Sequence, residues 1–159
     1  SPIYYLVKHL IVILFGFILM LSIKLVPFKF FRGMSIILLP IGIGLLVYTL
    51  SQGTIIGGSA ASRWIDIPFV GISFQTSSLA AIIIITYTAR YLSKVELSKT
   101  KFSETLIPLW LPIFTYIFLI FPANFSSAFL IFTALVITLF ISGFPLRHLF
   151  KVFLTFLFF

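Results

Sequence analysis

Long apolar runs alternate with short polar breaks along the whole chain. Residues 3–23 are apolar almost throughout, with Lys8 and His9 near the start. Residues 24–33 form a short basic linker, and residues 34–50 a second apolar run containing Pro40, Gly42 and Gly44. Residues 52–74 are a longer, broken stretch of Gly, Ser and apolar residues. Residues 77–92 are the third run, 93–105 a charged break, and 106–121 the fourth run with Pro108 and Pro112 near its start. Pro122-Ala123-Asn124 reads as a tight turn, because Pro and Asn both favour non-helical backbone there. Residues 125–143 are the fifth run. After a basic break at 145–151, the Phe-rich end supplies about half of the ~20 apolar residues that a spanning helix needs. The pattern predicts an all-α, polytopic transmembrane helix bundle of five spans plus a partial sixth, with residues 1–159 as a single transmembrane domain. Pro within a span is tolerated where neighbouring helices satisfy the freed backbone, and Gly permits close approach of another helix.

Composition explains why the runs must be membrane spans. Apolar residues make up 61% of the chain and charged ones 9%, with a mean hydropathy of +1.26. A soluble domain of this size cannot bury so much apolar surface. The net charge of +8 does not point to nucleic acid, because the eleven basic residues are scattered between spans without a basic stripe or stacking aromatics. They read instead as topogenic charge. Lys24, Lys29 and Arg32 lie in one loop, Arg90, Lys94, Lys99 and Lys101 around a second, and Arg147 and Lys151 in a third. The alternate loops hold only Arg63. The positive-inside rule puts the first set in the cytoplasm and the segments 52–74 and 122–125 outside. There is no Cys, which excludes disulfides and thiolate metal sites. No secretory signal pattern opens the chain, and both ends are expected to be cut from a larger protein.

The outward polar islands are the candidate sites, since polar groups beside hydrocarbon are costly. The segment 52–74 is too apolar for a free loop and too broken for a helix, which predicts an ordered stretch packed on the bundle, extended from Trp64 to Phe74. Arg63 suits either of two roles: snorkelling to head groups beside an interfacial Trp64, or clamping an anionic ligand with its fork of donors. Asp66 reads as a neighbour of Arg63 rather than an acid catalyst. Glu96 and Glu104 sit among lysines as solvated charge, and His9 and His148 lie on opposite sides of the expected membrane. No nucleophile triad or phosphate-cradling glycine motif is present.

Four stretches resemble the SEDS family of bacterial cell-wall synthesis, the FtsW and RodA proteins. Ala61-Ser62-Arg63-Trp64-Ile65 is similar to the family's Gly-Ala-x-Arg-Trp-Ile. Ile72-Ser73-Phe74-Gln75-Thr76-Ser77-Ser78-Leu79-Ala80 is similar to its Phe-Gln-Pro-Ser-Glu-Leu-Ala at the start of a span. Pro122-Ala123-Asn124-Phe125-Ser126-Ser127 resembles its Gln-Pro-Asp-Leu-Gly-Thr turn, and Phe140-Ile141-Ser142-Gly143-Phe144-Pro145-Leu146-Arg147 its Phe-Leu-x-Gly stretch before a basic loop. Residues 91–94 and 103–112 lean toward the FtsW branch. There are departures: Ser78 and Ala81 stand where the family has Glu and Lys, Thr76 where it has Pro, and Asn124 nearest its Asp. Losing Glu and Lys together leaves no lone buried charge.

The resemblance implies a ten-span protein of the bacterial inner membrane, of which this chain supplies the second to sixth spans and the start of the seventh. It implies a peptidoglycan glycosyltransferase that polymerises lipid II during cell division, partnered by a class B penicillin-binding protein, other division proteins and membrane lipid, and by no nucleic acid. It marks Arg63, Trp64, Gln75, Ser78 and Asn124 as substrate-binding candidates, and places the catalytic Asp in a loop outside this chain. It implies no metal or cofactor on this chain and admits a divalent cation for the full-length enzyme. A lipid II flippase, or a non-catalytic scaffold of the division machinery, would share the same spans. The loop charges make the topology testable. Cysteines introduced at Ser59 and Ser98 should react with an impermeant thiol reagent from opposite sides of the membrane, and labelling of both from one side would refute the assignment.

Overall fold

The computed structural model describes residues 2–52, 55–56, 59–60, 64–67, 72–96 and 99–157. They form two compact units, Ser1–Gly33 and Met34–Phe159. Helix α1 spans Pro2–Ile23 and α2 spans Phe28–Gln52. Two short strand pairs follow, β1 (Ile55–Ile56) with β2 (Ser59–Ala60) and β3 (Trp64–Ile67) with β4 (Ile72–Gln75), both antiparallel. Then come α3 (Thr76–Lys94), α4 (Phe102–Thr105), a π-helical turn at Leu106–Trp110, α5 (Leu111–Ile120), α6 (Phe125–Ile141) and α7 (Leu146–Leu157). The architecture is that of a helical membrane protein. Three helical stretches, Pro2–Ile23, Phe28–Gln52 and Phe102–Ile120, are long and apolar enough to cross a membrane, and α6 is an apolar helix of 17 residues.

In the first unit, α1 ends in a turn in which Leu25 N–H donates to Ser22 O at 3.0 Å. The basic linker is shorter than its charges suggest. Phe30 N–H donates to Pro27 O at 3.0 Å and α2 is already under way, so Lys29 and Arg32 are helical. Apolar runs mark only the part of a helix that meets hydrocarbon. The basic turns that continue it toward head groups look like loop in the sequence. The same reason shortens the 93–105 break, where α4 begins at Phe102.

The second unit is held by one face of each helix. Ala80, Ile83 and Ile84 of α3, Ile113, Tyr116, Ile117 and Ile120 of α5, and Ala128, Ile131, Leu135 and Leu139 of α6 are buried together. Each set recurs at three- and four-residue steps, the spacing of a helix face. The opposite faces are equally apolar: Phe118 and Ile141 are each 78% exposed. A helix apolar all round whose outer face is uncovered has lipid as its solvent.

Polar backbone in that solvent needs partners, and two tyrosines supply them. Tyr116, fully buried on α5, donates its hydroxyl to Leu39 O of α2 at 2.6 Å. It reaches the carbonyl because Gly42 carries no side chain. A Cβ built there would overlap Tyr116 Oη and stand 3.1 Å from Ile83 Cδ1. Tyr87 of α3 donates to Pro108 O at 2.6 Å. Pro112 has no N–H to offer the carbonyl four residues before it, so this acceptor is one that the helix interior leaves short. The two prolines coincide with a local widening, where Leu111 N–H reaches back five residues to Leu106 O. The fourth apolar run is therefore α4, π turn and α5 in one continuous stretch.

The segment 52–74 is a local departure from helix within a helical membrane protein. Among its described residues the backbone is two antiparallel strand pairs, with Trp64 opposite Gln75, Ile65 opposite Phe74, Asp66 opposite Ser73 and Ile67 opposite Ile72. The extended form expected of Trp64–Phe74 holds for those residues, and pairing satisfies backbone groups that no helix covers. The tight turn before α6 also forms, with Asn124 N–H donating to Ile120 O at 2.9 Å. At the other end of α6, Gly143 takes a φ of 79°, and Phe144 N–H donates to Leu139 O at 3.1 Å. That is a Schellman-type stop, which favours Gly.

The Tyr116 contact predicts a sign change in a mutant cycle. Tyr116→Phe alone should cost about 0.5–1.5 kcal/mol, a net hydrogen bond. Gly42→Ala should cost more, about 1–3 kcal/mol of overpacking. The double variant should be more stable than Gly42→Ala alone, because removing the hydroxyl clears the space the new methyl needs. Reversible unfolding of the protein in detergent micelles reads all three, and strictly additive losses would contradict the packing described.

Candidate functional site

The polar residues converge at the end of the second unit where β4 runs into α3. Gln75 closes β4, and Thr76 opens α3 with no loop between them. Trp64 sits directly across the strand pair from Gln75. Ser78, one turn into α3, donates to Gln75 Oε1 at 3.4 Å, a long and exposed bond. Three sequence-predicted residues, Trp64, Gln75 and Ser78, are thus brought to one place. Trp64 is 46% exposed, as a side chain between apolar and wet surroundings should be. Arg63, the residue before it, lies outside the described residues.

A narrow cleft opens beside this group. It is lined by Leu46 and Thr49 of α2, Thr76 and Ser77 of α3, and Leu119 and Asn124 around the α5–α6 turn. Its space of about 10 Å³ is no larger than a single water needs. Thr49, Thr76 and Ser77 are buried hydroxyl residues. Thr49 also donates to Leu45 O of its own helix at 2.6 Å, leaving its oxygen lone pairs toward other donors. These residues were not among the sequence candidates. The readable signal was a Thr inside an apolar run and hydroxyls at the mouth of the next one. The helix spacing that sets Thr49 level with Thr76 was not readable.

Asn124 belongs to the same cleft but has local work. It caps α6: its Oδ1 accepts Ser127 N–H at 3.1 Å, and its carbonyl accepts Ala128 N–H at 3.0 Å. Asn and Asp are both favoured at this position because a short side-chain oxygen reaches the free N–H groups of the first turn. Ala81, in place of the Lys, is half-buried and packs against the core, where a methyl fits and an unpaired ammonium would not. As a set, the cleft and its rim offer hydroxyls, two amides and an indole. That is a cluster of hydrogen-bonding groups at the edge of the apolar helix faces.

The remaining acids are engaged elsewhere. Glu96 pairs with Lys99 at 2.8 Å on an exposed surface, and Glu104 Oε2 accepts Lys101 N–H at 3.2 Å at the start of α4. Both contacts are local, within the charged break. Phe102 lies 5.3 Å from the His148 ring, so the 93–105 and 145–151 breaks meet at the same end of the unit. The cleft lies at the end where β4 meets α3 and α5 meets α6.

Residues 1–159 match the model of the family described as "Cell cycle protein", which takes in FtsW, RodA and SpoVE. The chain belongs to this family. Two relatives are named "Probable peptidoglycan glycosyltransferase FtsW". The one from Idiomarina loihiensis is 30% identical over 98% of this chain and 37% of its own length. The one from Halomonas elongata is 29% identical over 59% of this chain and 23% of its own. The "Peptidoglycan glycosyltransferase RodA" of Treponema pallidum is 30% identical over 91% of this chain and 32% of its own length. The chain thus spans about a third of the length of the curated relatives that it matches along most of its extent. No solved structure matches it.

The cap makes the role of Asn124 testable. Asn124→Ala should destabilise the protein by about 1 kcal/mol, while Asn124→Asp should be neutral or stabilising, because a carboxylate also caps and favours a helix N-terminus. Unfolding midpoints of the two variants in micelles check this, and equal losses would show that the cap contributes nothing.

Proposed function

We propose that the full protein carrying this chain is a peptidoglycan glycosyltransferase of the bacterial inner membrane. It polymerises lipid II into glycan strands during cell division, in company with a class B penicillin-binding protein and other division proteins. The observation that carries this reading is the convergence of Trp64, Gln75 and Ser78 beside the Thr49, Thr76, Ser77 and Asn124 cleft, at one end of an apolar helix unit. The names of the relatives, glycosyltransferases of FtsW and RodA type, give that site its substrate class. In this reading the chain contributes the second to sixth of ten spans and the start of the seventh. The site faces the outside, and Arg63, Trp64, Gln75, Ser78 and Asn124 hold substrate.

The division of labour follows from the residue types. Arg63 presents a planar fork of donors that a pyrophosphate can accept bidentately. Trp64 supplies an apolar plate with one donor at the interface. Gln75 and Ser78 offer sugar and amide partners, and the wall of the cleft keeps them at the depth where a lipid-linked substrate presents its head group. None of these groups is an acid–base pair, so the chain binds and positions. The proton-transferring Asp, and any divalent cation, belong to the rest of the protein.

Arg63 separates clamp from anchor. In the full-length protein, Arg63→Lys should reduce glycan polymerisation from purified lipid II at least about tenfold, the loss of one hydrogen bond to a charged group, at unchanged membrane abundance. A snorkelling anchor would be served equally by Lys. Wild-type rates in Arg63→Lys would reject the clamp. Transfer of labelled lipid II across vesicles without any polymer would replace the transferase reading with the flippase.

A further inference from the structure

The cleft beside Gln75 and Ser78 is small enough for its lining to define its occupant. A space of about 10 Å³ is one water-sized sphere, so the polar atoms that face it share a single guest. Hydrogen-bonding residues reach it from three elements: Thr49 from α2, Ser77 from the start of α3 and Asn124 from the α5–α6 turn. Thr49 and Ser77 are 3% and 7% exposed, a depth at which an unmet polar group is costly. The Ser77 hydroxyl makes no hydrogen bond to another described residue.

Donors and acceptors narrow the choice further. Thr49 gives its hydroxyl proton to Leu45 O at 2.6 Å, so toward the cleft it can only accept. Asn124 is the reverse. Its Oδ1 accepts Ser127 N–H at 3.1 Å, which leaves the amide N–H groups to donate. The first-turn N–H groups of α3 are further donors, because the Gln75 side chain does not cap them. Ser77 can take either role. An anion has no proton for Thr49, a metal cation accepts nothing from Asn124, and a hydrocarbon chain does neither.

We infer that the cleft seats one structural water, which donates to Thr49 Oγ1, accepts from Asn124 Nδ2 and completes its set at Ser77 Oγ. Three partners are the usual complement of a buried water, and such waters are costly to remove. This one ties α2 to the starts of α3 and α6. Its consequence is positional. Ser77 stands in the first turn of α3, between Gln75 and Ser78 in sequence, so the water holds in place the turn that carries both candidate groups. Thr49 and Ser77 are then positioning residues. The inference stands on the cleft alone and does not depend on the reaction proposed above.

The test uses the full-length protein in lipid nanodiscs, imaged at a resolution that shows ordered solvent. One isolated density should stand about 2.6–3.2 Å from Thr49 Oγ1, Ser77 Oγ and Asn124 Nδ2. An empty cleft, or one filled by a side chain or a lipid, overturns the proposal. Thr49→Val keeps the shape of the side chain and removes the acceptor. It should remove the density and speed hydrogen exchange at the amides of Ala80 and Ala81, which close the first turn of α3, by about fivefold, the worth of one net hydrogen bond. Thr49→Ser keeps the hydroxyl and should keep the density. Ser77→Ala should also speed that exchange, and should add little to Thr49→Val, because both act on one water. Unchanged exchange in Thr49→Val, or strictly additive effects of the two variants, overturns the proposal.

Discussion

Everything in the second unit depends on satisfying backbone carbonyls where water is absent. Prolines in helices create the difficulty, because each removes a donor from a ladder that hydrocarbon cannot replace. At Pro112 the chain meets it with Tyr87 of a neighbouring helix, and Tyr116 adds a second tie to Leu39 O, which Pro40 does not deprive of a donor. Tyr87 reaches Pro108 O, and Tyr116 reaches Leu39 O across the bare backbone of Gly42. A carbonyl has two lone pairs, so Leu39 can keep a helical partner and still accept the hydroxyl. The two bonds tie α2 to α5 and α3 to the π turn, and the apolar core fills in around them. Dispersion alone packs apolar helices against each other little better than against lipid. The polar ties and the small residues are what select these neighbours.

That arrangement places the cleft. With α2, α3 and α5 fixed at mid-depth, the ends of the same helices meet as a polar rim, where Thr49, Thr76, Ser77 and Asn124 share a cleft. The paired strands β3 and β4 then deliver Trp64 against Gln75 at the first turn of α3. The cleft is therefore bounded by α2, the start of α3 and the α5–α6 turn. At the far end the same helices gather aromatic and basic side chains instead: Phe102, Trp110, Phe144, His148 and Lys151. One bundle thus presents two chemically different mouths.

Much of this was legible in the order of residues. The apolar runs located the long helices, because a membrane imposes a length and a composition together. Asn124 read as a turn residue and serves as a helix cap, while Gly143, counted in the fifth run, is the helix stop. Basic helix turns were not legible: Lys29 and Arg32 look like loop, yet they continue α2 beyond the apolar run. Strand pairing in 52–74 was only half legible. Extended backbone followed from apolar residues broken by Gly and Pro, but register depends on which partner lies opposite, and that is a property of pairs. The candidates Trp64, Gln75 and Ser78 came from motif likeness, and the fold brings the three together. Thr49 and Thr76 were missed because their importance comes from neighbours far away in sequence.

The π turn at Leu106–Trp110 fits one more residue into a turn than an α-helix would. Each residue rotates a helix by about 100°, so the widening sets the phase between the stretch before it and the stretch after it. Thr105 and Leu109 at the π turn, and Ile113, Tyr116 and Ile120 beyond it, are all buried. Tightening the turn to an ordinary α-helix would swing Phe102 and Thr105 around the axis while leaving Tyr116 on its carbonyl. The fourth apolar run thus behaves as two half-helices with a fixed angular offset between the end that carries the cleft and the end that carries the aromatic cluster.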